Sequence, residues 1–533
     1  MGDYLPYVNI GPNLEAKICQ DFSPTFSPSI SHAPTLYDFP NEKCKSKFSG
    51  SGSSNCVLLS NGRLKCFGLN TSGELGYGDV TNRGGSTNQM GEYLIEVDLN
   101  STILYIQTAS NFACVVSDSN DDIRCWGRNA YGELGLSDAS NRGDGPFEMG
   151  TYLPTLSFGS GFELHSLRSG GFQSCVISSS LTIKCWEYNI SGQLGIESTE
   201  AKGNNANEMG NYLSYSDLGT NVKILDVSPS NLHTCIITIS NSVKCFGSNG
   251  LGQLGYEDTF TRGDAANDMG NNLNFVNLGS GLMVSSLYNG EEANCIISST
   301  QKMKCWGEGT YGRLGYGTQT NEGDGLNEMG EYLPYVNLGS GKTSLSMCMG
   351  SFHSCTLLND YSTICWGNGG SGQLGNELSG NVGDGGGEMG DYLISVDVGS
   401  GRNIESLHCG AYHTCAVLNN DSYRCWGYNN IGQLGIGNIL NQGDDVNEMG
   451  DYLDPVNLGV DVIVTECLDI SPTFTPTITS MPSLSPSWMP TITSNSPTLS
   501  PSISFSPTSS FSPTFSPTLG GKINPSYQGN YLL

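Results

Sequence analysis

The sequence predicts an all-β protein: a seven-bladed β-propeller of four-stranded antiparallel blades, with Ser/Pro/Thr-rich tails expected to be disordered. Three observations carry this. Cysteine pairs recur at a nearly fixed step: Cys56 with Cys66, Cys114 with Cys125, Cys175 with Cys185, Cys235 with Cys245, Cys295 with Cys305, Cys355 with Cys365 and Cys415 with Cys425. A Gly-x-Leu-Gly stretch follows every pair, and no segment carries a helical periodicity. A step of about 60 residues is one supersecondary unit, and such a unit must stack on its neighbours to cover its faces.

The elements of one repeat follow in order. Short apolar runs flank a polar centre between the two cysteines, which indicates a β-hairpin. The first copy has Asn61-Gly62 at that centre, two residues that tolerate positive φ and so close tight hairpins. Cys56 and Cys66 lie five residues either side of Asn61. They should face each other across two strands, close enough for a disulfide. The second copy has one extra loop residue, yet Cys114 and Cys125 stay symmetric about the turn. In the Gly-x-Leu-Gly stretch, for example Gly432 to Gly435, glycines at both ends suggest special backbone turns around one inward leucine. An acidic loop and a Met-Gly-x-Tyr-Leu segment come next, as in Met329 to Leu333. Two more strands are expected, at residues 335–338 and 344–349. Seven four-stranded sheets around an axis cover one another and leave only short edges. Seven copies without capping repeats favour a closed ring over an open solenoid.

The chain resembles the regulator of chromosome condensation repeat family. The likeness rests on Trp-Gly-x-Asn-x-x-Gly-Gln-Leu-Gly (Trp426 to Gly435), on Gly410-Ala-Tyr-His413-Thr-Cys415 before it, and on the seven copies. It implies a seven-bladed propeller. It also implies activity as a nucleotide-exchange factor for a small GTPase, or as a chromatin binder. Departures occur: Phe67 and Phe246 replace the tryptophan, Glu187 replaces a glycine, and the histidine position is Ser54, Phe112, Gln173 and Ala293 in four copies. No inserted wedge and no basic tail accompany the repeats.

Composition narrows the function. Twenty-three basic against 51 acidic residues give a net charge of −28. A nucleic-acid partner is disfavoured, since phosphates demand lysine and arginine; cationic partners fit better. No apolar run is long enough for membrane insertion. Nineteen cysteines, 14 of them in hairpin pairs, indicate an oxidising compartment, extracellular or cell-surface. The competing reading is buried reduced thiols in the cytoplasm or nucleus. Zinc fits the nine-residue spacing poorly. Asn70, Asn100, Asn189 and Asn420 begin Asn-x-Ser/Thr triplets and are glycosylation candidates, a weak signal in a chain rich in Asn and Ser.

Residues 1–19 repeat the middle of a blade, Met1-Gly-Asp-Tyr-Leu-Pro-Tyr-Val-Asn matching Met329 onward. They are expected to close an upstream propeller of a longer chain. Residues 20–42 form a Ser/Pro/Thr linker, 43–467 the propeller, 468–519 a Ser/Pro/Thr stalk of extended character, and 520–533 an unassigned tail. Cys44 and Cys467 bracket the propeller and are expected to bond and lock the circle. Cys348 and Cys409 occupy matching strands of neighbouring blades and could bridge.

No catalytic or cofactor site is expected. Carboxylates four apart in the acidic loops (Asp144/Glu148, Asp324/Glu328, Asp444/Glu448) could hold calcium, but lack the alternate-residue oxygens of a calcium loop. The better reading ties them to their own turns. Two Arg-Gly-Asp triplets, at residues 142–144 and 262–264, look like by-products of the repeat. His233, His353 and His413 fall at equivalent positions of separate blades, too far apart for one triad, so hydrogen bonding within the scaffold is expected. Nucleophile elbows and phosphate loops are absent. Two functions remain: a secreted or surface interaction scaffold binding protein or glycan through its loop faces, and, as the alternative, the GTPase or chromatin role that the resemblance implies. Any site would lie where the copies differ.

Overall fold

A computed structural model describes residues 48–118 and 122–459. Seven antiparallel sheets follow one another, each of three consecutive strands. In blade one these are Phe48–Ser51, Ser54–Leu58 and Leu64–Gly68; in blade five, Val284–Asn289, Ala293–Ser298 and Met303–Gly307. The first strand of each sheet lines a central channel of about 570 Å³. It supplies Thr108, Arg168, Asp226, Tyr288, Cys348 and His408, among others. No helix among the described residues is long and apolar enough to cross a membrane.

The ring closes. Each inner strand touches the next, and that of blade one touches that of blade seven. Ala411 donates its amide to Gly52 O (2.8 Å) and Gly91 to Asn457 O (2.8 Å), joining the two ends of the chain's circle. The core is seven clusters, one per interface. In them, cysteines of one blade pack with the ring of the next. Cys114 and Cys125 share a cluster with Trp186, Cys175 and Cys185 with Phe246, Cys295 and Cys305 with Trp366, and Cys355 and Cys365 with Trp426. At the closure Cys415 and Cys425 meet Phe67. Sulfur beside an aromatic ring adds a favourable contact to the apolar burial.

The fourth strand is corrected. Residues 335–338 alternate as a strand would, with Val336 and Leu338 buried and Tyr335 exposed. They nevertheless form no ladder. One backbone bond, Val336 N to Met303 O (2.9 Å), holds them to the outer strand. The loop before them touches the sheet at a single bridge, Gly307 with Glu322. Gly330 turns left-handed at φ 68°, as its counterparts Gly91, Gly150, Gly210, Gly270, Gly390 and Gly450 do, and this turn just ahead of the segment is common to all seven three-stranded sheets. The inner strand before the next hairpin, Ser344–Met349, falls where the pattern puts it.

The Gly-x-Leu-Gly stretch knits blade to blade. Leu75 is fully buried. Gly73 adopts φ 84°, and a β-carbon there would lie 2.4 Å from the Asp144 amide of the next blade. The following tryptophan donates its indole N–H into this stretch: Trp126 to Glu74 O (3.0 Å) and Trp366 to Arg313 O (2.9 Å). Where phenylalanine replaces tryptophan, the same carbonyl still has a donor, Asn55 to Gln433 O (2.7 Å) or Thr234 to Gln193 O (2.8 Å). The departures at Phe67 and Phe246 therefore orphan nothing.

The sequence reading missed a second tie. A basic residue precedes the second cysteine in six copies, and in five of them its side chain reaches across two blades. Lys304 Nζ donates to Leu278 O of the preceding blade (2.8 Å) and to Gly330 O of its own (2.7 Å). Lys65 does the same at the closure, to Leu458 O and Gly91 O. Charge-assisted bonds of this kind suit buried carbonyls. Blade six has Ile364 there, a buried apolar residue.

Candidate interaction face

All seven hairpin cysteine pairs stand directly opposite in their ladders, and the structure bonds every one. The bonds are Cys56–Cys66, Cys114–Cys125, Cys175–Cys185, Cys235–Cys245, Cys295–Cys305, Cys355–Cys365 and Cys415–Cys425, with Cα separations of 4.0–4.1 Å. Such short separations mark the closer, non-hydrogen-bonded type of antiparallel pair. The extra residue in the second copy does not shift its register: Cys114 still faces Cys125, at a sequence separation of 11 where Cys175 and Cys185 have 10. Cys348 and Cys409 are also bonded, across the interface of blades six and seven. At the equivalent place blades one and two have only a hydroxyl pair, Ser49 Oγ to Thr108 Oγ1 (2.9 Å). Cys44 and Cys467 lie outside the described residues, as do residues 1–47 and 460–533 with the linker, stalk and tail readings placed there.

Two glycosylation candidates are corrected. Asn70 and Asn189 are buried. Asn70 Nδ2 donates to Asp79 O (2.8 Å) while its Oδ1 accepts from Leu75 N (2.9 Å); Asn189 bonds Ser198 O and Leu194 N in the same way. A glycan has no room on either. Both are the repeat's structural asparagine, with Asn129, Asn249 and Asn429 as counterparts in the same role. Recurrence at Trp-Gly-x-Asn was the available signal. Asn100 and Asn420 are exposed.

The acidic loops close on themselves. Glu328 Oε2 accepts from Gly323 N (2.9 Å) and Gly325 N (2.7 Å), and Glu448 from Gly443, Asp444 and Asp445. Asp324 accepts from Asn321 (3.1 Å). The Arg-Gly-Asp arginines pair internally, Arg142 with Asp138 and Arg262 with Asp258, each at 2.7 Å.

The three histidines bridge to neighbouring blades. His233 Nε2 meets Asn294 Oδ1 (2.8 Å), His353 meets Thr414 Oγ1 (2.9 Å), and His413 meets Asn55. Burial pushes His233 and His413 down to about 4 and His353, with His413 nearby, to about 3. The folded protein therefore refuses protons that the unfolded chain takes up below its ordinary value near 6.5. Stability should fall as pH drops from about 6.5 to about 4, by up to about 3 kcal/mol per histidine. Gln173 already occupies this position in blade three, donating to Ser230 O and His233 O. The triple variant His233→Gln/His353→Gln/His413→Gln should flatten the acid limb of the urea midpoint against pH. Glu187 and Glu292, raised mainly by burial, titrate in the opposite sense, so the difference between parent and variant isolates the histidines.

One set of residues that differ between copies lies at the turns before the middle strands and just after the outer strands. In six blades the turn before the middle strand and the residue after the outer strand are joined there by backbone bonds. These pair Leu69 with Ser53, Arg128 with Asn111, Ser248 with Leu232, Glu308 with Glu292, Asn368 with Phe352 and Tyr428 with Tyr412, at 2.8–3.0 Å. No two pairs are alike. Ser53, Leu69, Asn111 and Tyr412 of these pairs line the channel. On blades five to seven, Tyr311, Phe352, Tyr412 and Tyr428 form a continuous aromatic strip, with ring centroids 5.4, 5.9 and 6.2 Å apart. Tyr412 and Tyr311 are 40% and 37% exposed. Tyr311 holds φ 59°, the left-handed region that costs a non-glycine residue energy and marks special sites.

Acids flank the strip. Arg313 stands where the other blades carry Gln or Glu. It is buried beneath Phe352, its guanidinium 4.6 Å from the ring centroid, and pairs with Glu308. Glu292 and Glu291 adjoin it. Burial pushes Glu292 up to about 7, with Glu291 and Glu308 adding to the rise and the Gln253 bond opposing it. One cation among three carboxyls leaves this patch acidic. In blade three Glu187, at the glycine position, adopts φ 101°; its burial, with Glu133 adding to the effect, holds its carboxyl well above the usual range. The sequence reading did not single out Arg313, Phe352 or Tyr412: Arg313 is a lone departure from a Gln/Glu position, and the position of Phe352 and Tyr412 varies too much between copies to carry a periodic signature.

No family model matches the chain. It is 25% identical over 329 residues to the ultraviolet-B receptor UVR8 of Arabidopsis thaliana, covering 61% of this chain and 65% of the receptor. It is 26% identical over 237 residues to the probable E3 ubiquitin-protein ligase HERC4 of Homo sapiens, covering 44% of this chain. The chain thus spans under two thirds of the receptor's length and 20% of the ligase. Among solved structures, human WBSCR16 superposes with a TM-score of 0.54 at 16% identity, covering 72% of this chain and 93% of its own. Prp20p of Saccharomyces cerevisiae, described with its binding to Gsp1p and histones, gives 0.54 at 17% identity, covering 75% and 87%. These likenesses show the fold.

Proposed function

We propose that this chain, a β-propeller of regulator of chromosome condensation repeats, is a non-enzymatic protein-interaction scaffold working outside the reducing cytosol. The observation that carries the reading is the division of labour between residues. Repeated side chains serve the interfaces, whereas one set of differing ones gathers as an aromatic strip with acidic flanks. Aromatic rings supply contact area at low entropic cost, and carboxylates favour a cationic partner. A protein segment bearing lysine or arginine fits this chemistry better than a glycan does. Eight disulfides among the described residues support an extracellular or surface location.

The second reading, nucleotide exchange on a small GTPase or chromatin association, is favoured only by the likeness to proteins such as Prp20p, and fold alone does not transfer activity. One experiment separates the two. The native protein is trapped with a thiol-alkylating reagent at cell lysis and in the medium, then mapped without reduction. Bonded cysteines outside the cell are the expected result. Alkylated thiols at Cys295 and Cys305 in a cytosolic fraction would overturn the scaffold reading.

A further inference from the structure

Three blades fill the same cleft with their own tyrosine. In blade one the Tyr77 hydroxyl accepts from Cys66 N (2.9 Å) and donates to Cys66 O (3.0 Å). The Arg83 guanidinium, paired with Asp79 at 2.8 Å, lies 4.2 Å from its ring centroid. Blade four repeats this. The Tyr256 hydroxyl reaches Cys245 N, Cys245 O and Asn274 O (2.9 Å), and Arg262 lies 4.4 Å from the ring centroid. In blade five the Tyr316 hydroxyl reaches Cys305 and Pro334 O (3.2 Å).

Blade two keeps the ion-paired arginine and the residue whose carbonyl bonds the hydroxyl in blades four and five, but not the ring. Arg142 still pairs with Asp138 at 2.7 Å, and Pro154 stands where Pro334 and Asn274 stand. The tyrosine position, however, is Leu136, which has neither a ring nor a hydroxyl. Here a cleft of about 350 Å³ opens between blades two and three, lined by Leu136, Arg142, Pro154, Met209 and Tyr212 among others. Its walls combine apolar Leu136 and Met209, the guanidinium of Arg142 and the carbonyl of Pro154. Tyr212 stands at the cleft 66% exposed. An apolar cleft with a few convergent polar groups is the usual form of a small-ligand site.

We propose that this cleft binds a phenol ring, either the side chain of a partner's tyrosine or a small free phenol. The ring would lie against the Arg142 guanidinium, as Tyr77 and Tyr256 lie against Arg83 and Arg262, a cation–π contact. Its hydroxyl would donate to Pro154 O, as Tyr316 and Tyr256 donate to the corresponding carbonyls. The site is independent of the aromatic strip and of the reading built on it.

The test is a titration of the full chain, with its leucine and methionine methyl groups isotope-labelled for NMR. The probes are 4-methylphenol, toluene, N-acetyl-tyrosinamide and N-acetyl-phenylalaninamide. The methyl signals of Leu136 and Met209 should shift saturably with the two phenols. Toluene and the phenylalanine amide should bind at least about fivefold more weakly, for want of the hydroxyl. Leu136→Tyr and Leu136→Phe, which fill the cleft from within, should weaken phenol binding at least about tenfold without lowering the melting temperature. Tighter binding of the tyrosine amide than of 4-methylphenol would identify a partner's tyrosine as the occupant; the reverse order would identify a small phenol. The proposal fails if no saturable shift develops at Leu136 and Met209 up to the probes' solubility. It fails equally if a folded Leu136→Phe chain binds 4-methylphenol as the parent does.

Discussion

Full reduction of the eight described disulfides should leave a chain that no longer holds the propeller in mild denaturant. Each hairpin bond closes a loop of about 11 residues, and constraint of the unfolded chain is then worth on the order of 2.5–3 kcal/mol. The Cys348–Cys409 bond, with a sequence separation of 61, closes a longer loop worth about 4 kcal/mol. Together these exceed the whole net stability of an ordinary domain, about 5–15 kcal/mol. The order of reduction follows from access. The sulfurs of Cys175, Cys185, Cys235, Cys245, Cys295 and Cys305 belong to fully buried residues, packed in the clusters that hold the ring of the next blade. Cys409 is half-buried and, with Cys348, lines the channel. A water-soluble phosphine at neutral pH should therefore open Cys348–Cys409 first, leaving the hairpins intact until the blades separate. Mass mapping after timed alkylation reads the order, and circular dichroism melts in about 2 M urea read the consequence. A fully alkylated chain melting within a few degrees of the oxidised one would refute this account of the stability.

How much of this was legible in the sequence depends on how far apart the cooperating atoms lie. Hairpins and the Gly-x-Leu-Gly turns are local, so Asn61-Gly62 and the flanking cysteines carried enough information to place them. The expected fourth strand failed because alternation at Tyr335 to Leu338 reports only which side chains face inward. It does not say whether a ladder forms, and residues 335–338 hold to the outer strand by the single bond of Val336 N to Met303 O. The lysine or arginine before the second cysteine in six copies was visible as a repeat. Its partners were not: Lys65 reaches Leu458 O, 393 residues away, only because the ring closes. Asn70 and Asn189 were read as acceptors of glycans since a triplet looks the same whether its asparagine is exposed or plugged into a turn. The aromatic strip was invisible for the opposite reason. Phe352 and Tyr412 share one variable position of adjacent repeats while Tyr311 comes from another, and the three become neighbours only in the folded ring.

Closure itself should be the most sensitive joint of the ring. At every other interface the two blades are consecutive in the chain and stay tethered if their contacts loosen. Among the described residues, no covalent link spans blades seven and one. Gly432 and Gly84 meet there: Gly432 holds φ 83°, and a β-carbon on it would lie 2.2 Å from the Gly85 amide. Gly252 is its counterpart within the ring, at φ 76° with a β-carbon 2.4 Å from the Asp324 amide. Alanine at either site must displace backbone, costing about 3 kcal/mol once left-handed strain and the clash are combined. The outcomes should still differ. Gly432→Ala can relieve the clash by parting blades one and seven, which exposes Phe67, Leu434 and Val456 of the shared core. Gly252→Ala can only strain a tethered joint. Amide exchange at Gly91, Ala411 and Gly437, whose N–H groups cross the closure, should quicken at least about tenfold more in Gly432→Ala than in Gly252→Ala, with concentration-dependent association in the former alone. Equal protection of those three amides in the two variants would mean that the circle is fastened by something stronger than packing. A bond between Cys44 and Cys467 is the specific fastening to look for, and adding reductant to Gly432→Ala would then release the exchange that oxidation had held back.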